Sequence, residues 1–236
     1  MKLLLSALVV LSLLYLGHTA PVITCESLTQ TISIESRDTL LGKWMYVGES
    51  TNMAGTRELT KKFVDSVFVQ VHPLPDISSF EFKQVQKSFG VCATLSSTTV
   101  MVNNTLITNK PYKAVDHLLK TSCPDCLVVK SNFTLGTNYY SILQLLSRRR
   151  TLSTAELDEF KQQAKCLNLP EATFLNPDKE LCSEEQLTDS TDLSSVMNTE
   201  MGSKILGLLD TAMKAPDGLA SFMNDLLGNL AITKED

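Results

Sequence analysis

Few residues in this chain have types and spacing suited to catalysis. Beyond residues 1–20 it carries two histidines, His72 and His117, and six cysteines, Cys25, Cys92, Cys123, Cys126, Cys166 and Cys182. Nucleophilic catalysis needs a hydroxyl or thiol held against a base that a third group orients. His72 stands in a proline-rich turn, His72-Pro73-Leu74-Pro75-Asp76, and His117 in a short strand-like run; no Ser or Cys pairs with either. Haem ligation through His117 has no supporting ligand pattern. Cys123-Pro124-Asp125-Cys126 has the spacing of a redox or zinc motif. Zinc asks for a second such pair or a nearby histidine, and a thioredoxin-like site for a strand before and a helix after. Neither context is there. The cysteines read instead as the disulfide framework of a secreted chain, with the pairing left open by spacing alone. The expectation is a protein that is no enzyme, with no metal and no cofactor.

The elements around these residues explain what the chain builds instead. Residues 1–20 hold Lys2, an unbroken apolar run from Leu3 to Leu16, and Gly17-His18-Thr19-Ala20. Such a run is short for a bilayer span and ends on a small residue suited to cleavage, so 1–20 reads as a signal peptide. Losing Lys2 takes the net charge from −5 to −6, a balance that disfavours nucleic acid and anionic lipid as partners. Asn103-Asn104-Thr105 and Asn132-Phe133-Thr134 are glycosylation acceptors at Asn103 and Asn132, which fit surface positions of a secreted protein.

From Trp44 to Leu146 alternation dominates. Phe63, Asp65, Val67, Val69 and Val71 fall on one face of a strand, and Val64, Ser66, Phe68 and Gln70 on the other. Further strand signals lie at 80–83, 91–103, 105–108, 114–119, 127–133 and 139–146. Some eight short strands without helices between them predict an antiparallel barrel or sandwich, and a barrel of that size has room for one small ligand. Ser153-Thr154-Ala155-Glu156 then opens a helix with a capping box, and Leu157, Phe160, Ala164 and Leu167 continue at helical spacing up to Pro170.

Gly42-Lys43-Trp44, set just before the first strong strand, is how lipocalins open their barrel, with the tryptophan closing the floor. The order of barrel, one helix and a short extended piece at 172–175 is also lipocalin order. The segment from Leu157 to Cys182 resembles the C-terminal part of α1-acid glycoproteins. Thr121 to Leu146, with the spacing on to Phe160, resembles apolipoprotein M; fish saxitoxin/tetrodotoxin-binding and tributyltin-binding proteins belong to the same group. The resemblance covers roughly residues 25–186. It implies an eight-stranded antiparallel up-and-down barrel with one packed helix, and the bridges Cys25–Cys166 and Cys92–Cys182, leaving Cys123–Cys126. It places Arg148 over Trp44, with Arg149 and Arg150 as rivals. Two features depart from the group. Gly136-Thr137-Asn138-Tyr139-Tyr140 only loosely echoes the family's Thr-Asp-x-x-Tyr motif. Leu95 and Ser141 stand where apolipoprotein M carries phosphate-gripping arginines, which favours a neutral or cationic lipophile over a phospholipid.

Tyr46, Phe68, Phe82, Tyr112, Tyr139 and Leu143 are the candidate ligand contacts, because aromatic residues combine large apolar area with a polar tip. Their facing is open, since a one-residue slip of register reverses it. Residues 183–236 add a linker and an amphipathic tail: Leu193, Met197, Met201, Ile205, Leu208 and Ala212 recur at helical spacing, and a second set runs from Leu219 to Leu230. With 21–182 as the barrel unit, the expected function is a secreted carrier of small hydrophobic molecules. The alternative is a component that docks on lipoprotein particles through the tail.

Overall fold

The computed structural model describes residues 24–135, 138–188 and 190–194. The leader and most of the amphipathic tail lie outside these residues. Eight strands carry the alternation: β1 (Gly42–Thr51), β2 (Val64–Pro73), β3 (Ser79–Ser88), β4 (Val91–Val102), β5 (Thr105–Lys110), β6 (Lys113–Leu119), β7 (Cys126–Leu135) and β8 (Asn138–Ser147). Each pairs antiparallel with the next, β1 pairs with β8, and the sheet closes on itself. This is an eight-stranded up-and-down barrel, an arrangement that leaves no long free edge.

Helices are more numerous than the sequence pattern predicts. Besides α3 (Thr154–Cys166), the described residues form α1 (Cys25–Leu28), α2 (Thr56–Phe63) and α4 (Glu184–Thr188). Phe63 therefore ends a helix instead of sharing a strand face with Val67 and Val69. Part of the expected linker is ordered: Thr191–Asp192 forms a short strand, β10, parallel to β4 at Ala93 and Thr94. A further short strand, β9 (Thr173–Phe174), pairs with β1.

The capping box of α3 is present. The Ser153 hydroxyl accepts from the Glu156 amide, and the Glu156 carboxylate accepts from the Ser153 amide at 2.7 Å. The inner face of α3 packs Phe160 and Ala164 against Val47, Leu119, Val128, Leu143 and Leu145 on the outside of the barrel. Gln163 is fully buried there and donates to the carbonyls of Leu28 (2.9 Å) and Lys120 (2.7 Å), so its amide nitrogen is satisfied as a buried polar group must be. Three disulfides, Cys25–Cys166, Cys92–Cys182 and Cys123–Cys126, match the pairing that the resemblance implied. The first ties α1 to the end of α3, and the second ties the C-terminal strap to β4.

Candidate functional site: the barrel cavity

One end of the barrel is sealed. Trp44 is buried at the start of β1 and its indole N–H donates to the Leu40 carbonyl at 2.8 Å. The Arg148 guanidinium stacks 3.5 Å from the centre of the tryptophan ring and donates to the carbonyls of Lys43 (2.9 Å) and Leu41 (2.6 Å). Arg149 and Arg150 are engaged elsewhere: Arg149 pairs with Asp125 and Glu156, and Arg150 donates to the Lys179 carbonyl. Gly42 has φ of +89°, and a Cβ there would lie 3.2 Å from the Arg148 side chain. The glycine thus supplies a left-handed turn and the space the arginine needs.

Above this floor lies the central cavity. Leu40, Trp44, Val71, Phe82 and Leu106 form its lower wall, and Tyr46, Leu95 and Tyr112 line it higher up. Polar groups interrupt the apolar wall. Thr99 and Thr108 share a hydroxyl–hydroxyl hydrogen bond of 2.6 Å, and Ser97 bonds to Tyr112. Asp116, on β6, is the charged group of the wall. Ser131 hydrogen-bonds its carboxyl, yet its Oδ1 is shut off from solvent and meets no partner among the described residues. Burial raises its pKa from 3.8 to about 6, against the opposing effect of the Ser131 bond, because removal from water disfavours the charged form. Burial also raises the pKa of Tyr112, with the nearby Asp116 charge as the second cause.

Towards the open end a cluster links the wall to its cover. The Tyr46 hydroxyl donates to Glu49 at 2.6 Å, the other Glu49 oxygen accepts from Thr60 of α2 at 2.7 Å, and Gln144 donates to Tyr46 at 3.4 Å. Burial, then the Glu49 charge, holds the Tyr46 hydroxyl well above its ordinary pKa. Arg57 of α2 is fastened outside to Glu171 at 2.6 Å. The helix between β1 and β2 is therefore a pinned cover over part of the mouth.

Of the six expected contacts, three line the cavity: Tyr46, Phe82 and Tyr112. Phe68 does not. It points outward into a cluster with Val85, Cys92 and Cys182, with the Lys43 ammonium 4.0 Å from its ring centre. Leu143 is fully buried, but under α3; its neighbours Gln144 and Leu146 face the cavity. Tyr139 is 83% exposed at the start of β8. All three errors have one cause: alternation identifies two faces without saying which is inside. The same parity puts His117 on the opposite face of β6 from Asp116 and Leu118, away from the cavity that haem would have needed. Leu95 lines the cavity, while the Ser141 hydroxyl is bonded to Asn132 elsewhere. Asn103 lies exposed in the β4–β5 turn and Asn132 exposed on β7. Asp116 was missed, although Ala114-Val115-Asp116-His117-Leu118 carries a signal: an acid on the same strand face as Ala and Leu.

A floored barrel with a covered mouth, an external helix after the eighth strand and a central apolar cavity defines the lipocalin fold. Among solved structures it matches the siderocalin Ex-FABP, described as functioning through dual ligand specificities. The TM-score is 0.52 at 16% identity, over 58% of this chain and 93% of that one. The likeness is one of fold. No family model and no curated protein matches the sequence. Among the described residues, no helix is long and apolar enough to cross a membrane.

Proposed function

We propose that this chain is a secreted lipocalin of the α1-acid glycoprotein and apolipoprotein M-like group, a carrier that encloses one small lipophilic molecule in its barrel. The observation that carries the reading is the cavity itself, aromatic and apolar for most of its wall, with one carboxylate oxygen left without a partner. Such a wall gains free energy by covering apolar surface, about 25 cal/mol per Å² removed from water. A buried acceptor without a donor costs about 1–3 kcal/mol, so a ligand whose head group donates to Asp116 recovers that cost. Neutral donors and cations fit this chemistry, and phosphate or carboxylate heads do not. Steroids, lipids with polar but unacidic heads, and lipophilic drugs or toxins all fall within it.

A binding role rather than an enzymatic one is supported by the cysteines. All six are bridged, so the free thiol that prostaglandin isomerisation by a lipocalin would use is missing. Domain limits follow the sequence reading, with 1–20 as the leader, 21–182 as the barrel unit and 183–236 as linker and tail. The test is native mass spectrometry of the secreted chain, alone and after exposure to a plasma lipid extract. A retained small molecule is the expected result. Failure to bind any lipophile, fluorescent probes included, overturns the proposal.

A further inference from the structure

The C-terminal strap leaves the barrel at a defined point. Cys182 is bridged to Cys92 on the outer face of β4, and α4 leads from there to β10, which runs parallel to β4 at Ala93 and Thr94. The Ser194 hydroxyl then accepts from the Ser96 amide at 2.6 Å. The strap cannot follow β4 further, because β5 takes that edge from Thr98 onward. It cannot turn inward either, since Leu95, Ser97 and Tyr112 occupy the inner side as cavity wall. The way left is outward, over β5.

A helical turn begins at this exit. Residues 193–194 are helical, and the Asp192 carboxylate accepts from the Ser194 amide at 2.9 Å, as the cap of a helix N-terminus does. Leu193 opens the series Met197, Met201, Ile205, Leu208 and Ala212, whose spacing fits one apolar helical face. Residues 195–236 lie outside the described residues. Twenty residues from Leu193 to Ala212 would make a helix about 30 Å long. Such a face needs a surface to pack on, because most helical stability comes from that packing.

The outer wall beside the exit supplies one. Val100, Ile107 and Val115 are successive register partners across β4, β5 and β6, on the face away from the cavity. Val102 extends this patch along β4, and Ile32 borders it at β6, its amide bonded to the Leu118 carbonyl. Val102 is 47% exposed, Val115 40% and Ile32 39%. Three neighbouring strands make the patch about 10 Å wide, the width of one helix. Asn132 is the register partner of Val115, and Asn103 follows Val102. A glycan on either acceptor would border the patch and bar a broader partner. We infer that residues 195–212 run along the outer wall of β4, β5 and β6, seating Met197, Met201, Ile205 and Leu208 on Val100, Ile107 and Val115. The tail is then part of the barrel unit, and its apolar residues meet a lipoprotein surface only after leaving the wall. The inference does not depend on what the cavity holds, because every residue of the contact lies outside it.

The test is limited digestion of the full secreted chain with a lysine-specific protease, read by mass spectrometry. Cuts after Lys204 and Lys214 report on the segment and its end, and the cut after Lys234 is the reference. The cut after Lys204 is expected to be at least about tenfold slower than the reference, since a seated segment is cut only when it opens. Val102→Asp with Val115→Asp speeds it about tenfold, and Met201→Asp with Ile205→Asp does the same from the other side of the contact. Val102 and Val115 are exposed, so the wall pair leaves the thermal unfolding of the barrel unchanged, which circular dichroism checks. A cut after Lys204 as fast as the reference in the parent chain overturns the inference. A slow cut that the wall pair leaves slow overturns it as well, because the segment is then seated elsewhere. Protection that fades on dilution would assign the tail to a second copy of the chain and also overturns it.

Discussion

The two ends of the barrel are built on opposite plans. At the floor the sealing groups have partners: the Trp44 indole reaches Leu40, and Arg148 spends donors on backbone carbonyls while covering the ring. Along the cavity wall and at the mouth, polarity is left unfinished. Among the described residues Asp116 keeps an oxygen without a donor, and Phe89 occupies a left-handed turn position. Satisfied groups stabilise and specify the fold, whereas an unsatisfied buried group in a cavity wall is one that a ligand can complete. The chain completes the seal of the floor with its own groups and leaves Asp116 in the wall above it incomplete.

That contrast is open to attack, most forcefully at the floor. Trp44→Ala removes the largest buried ring of the lower cavity and is expected to cost about 3–5 kcal/mol in urea unfolding. A loss below about 1 kcal/mol would show that the floor is no keystone. Replacing Cys25 and Cys166 together by Ser, which opens a bridge of sequence separation 141, costs about 2–5 kcal/mol in the same measurement. Arg148→Met keeps much of the side-chain volume but ends the stacking and the carbonyl bonds, for about 1–2 kcal/mol.

Asp116→Asn sharpens the comparison because its sign should be reversed. Asp116 titrates higher in the folded barrel than in the unfolded chain, so its contribution to stability is fully present below pH 3.8 and is lost as pH rises through about 6. At pH 7.5 the empty Asn variant should be more stable than the parent, by up to about 1 kcal/mol, and the slope between those pH values should vanish. Its affinity for a cationic lipophile should fall while that for a neutral one changes little. In the parent protein, cation binding should weaken by up to tenfold per pH unit below about 6. A variant less stable than the parent at every pH would place Asp116 with the structural groups of the floor.

Much of this architecture was legible in the residues. Alternation located the strands, Ser153 and Glu156 located α3, and Gly42 with Trp44 marked the start of the barrel. What escaped was direction and assembly. Phe68 and Leu143 are as apolar as Val69 and Leu146, and period two assigns neighbours to opposite faces without choosing the inner one. Register is also shifted along β1, where pairing with β8 slips between Tyr46 and Gly48. Thr56–Phe63 reads weakly as a helix because it opens on Gly55, which makes no side-chain cap. The β1–β2 and β5–β6 connections, far apart in sequence, share the mouth only because every second connection of an up-and-down barrel returns to the same end.

The sealed floor has a kinetic consequence. With Trp44 and Arg148 closing one end, a guest leaves by the passage through which it came. A change to the cover alone, such as loss of the Thr60 contact to Glu49, then alters arrival and departure by the same factor. Exchange would become faster or slower over the whole range while the equilibrium constant stayed where the cavity wall had set it.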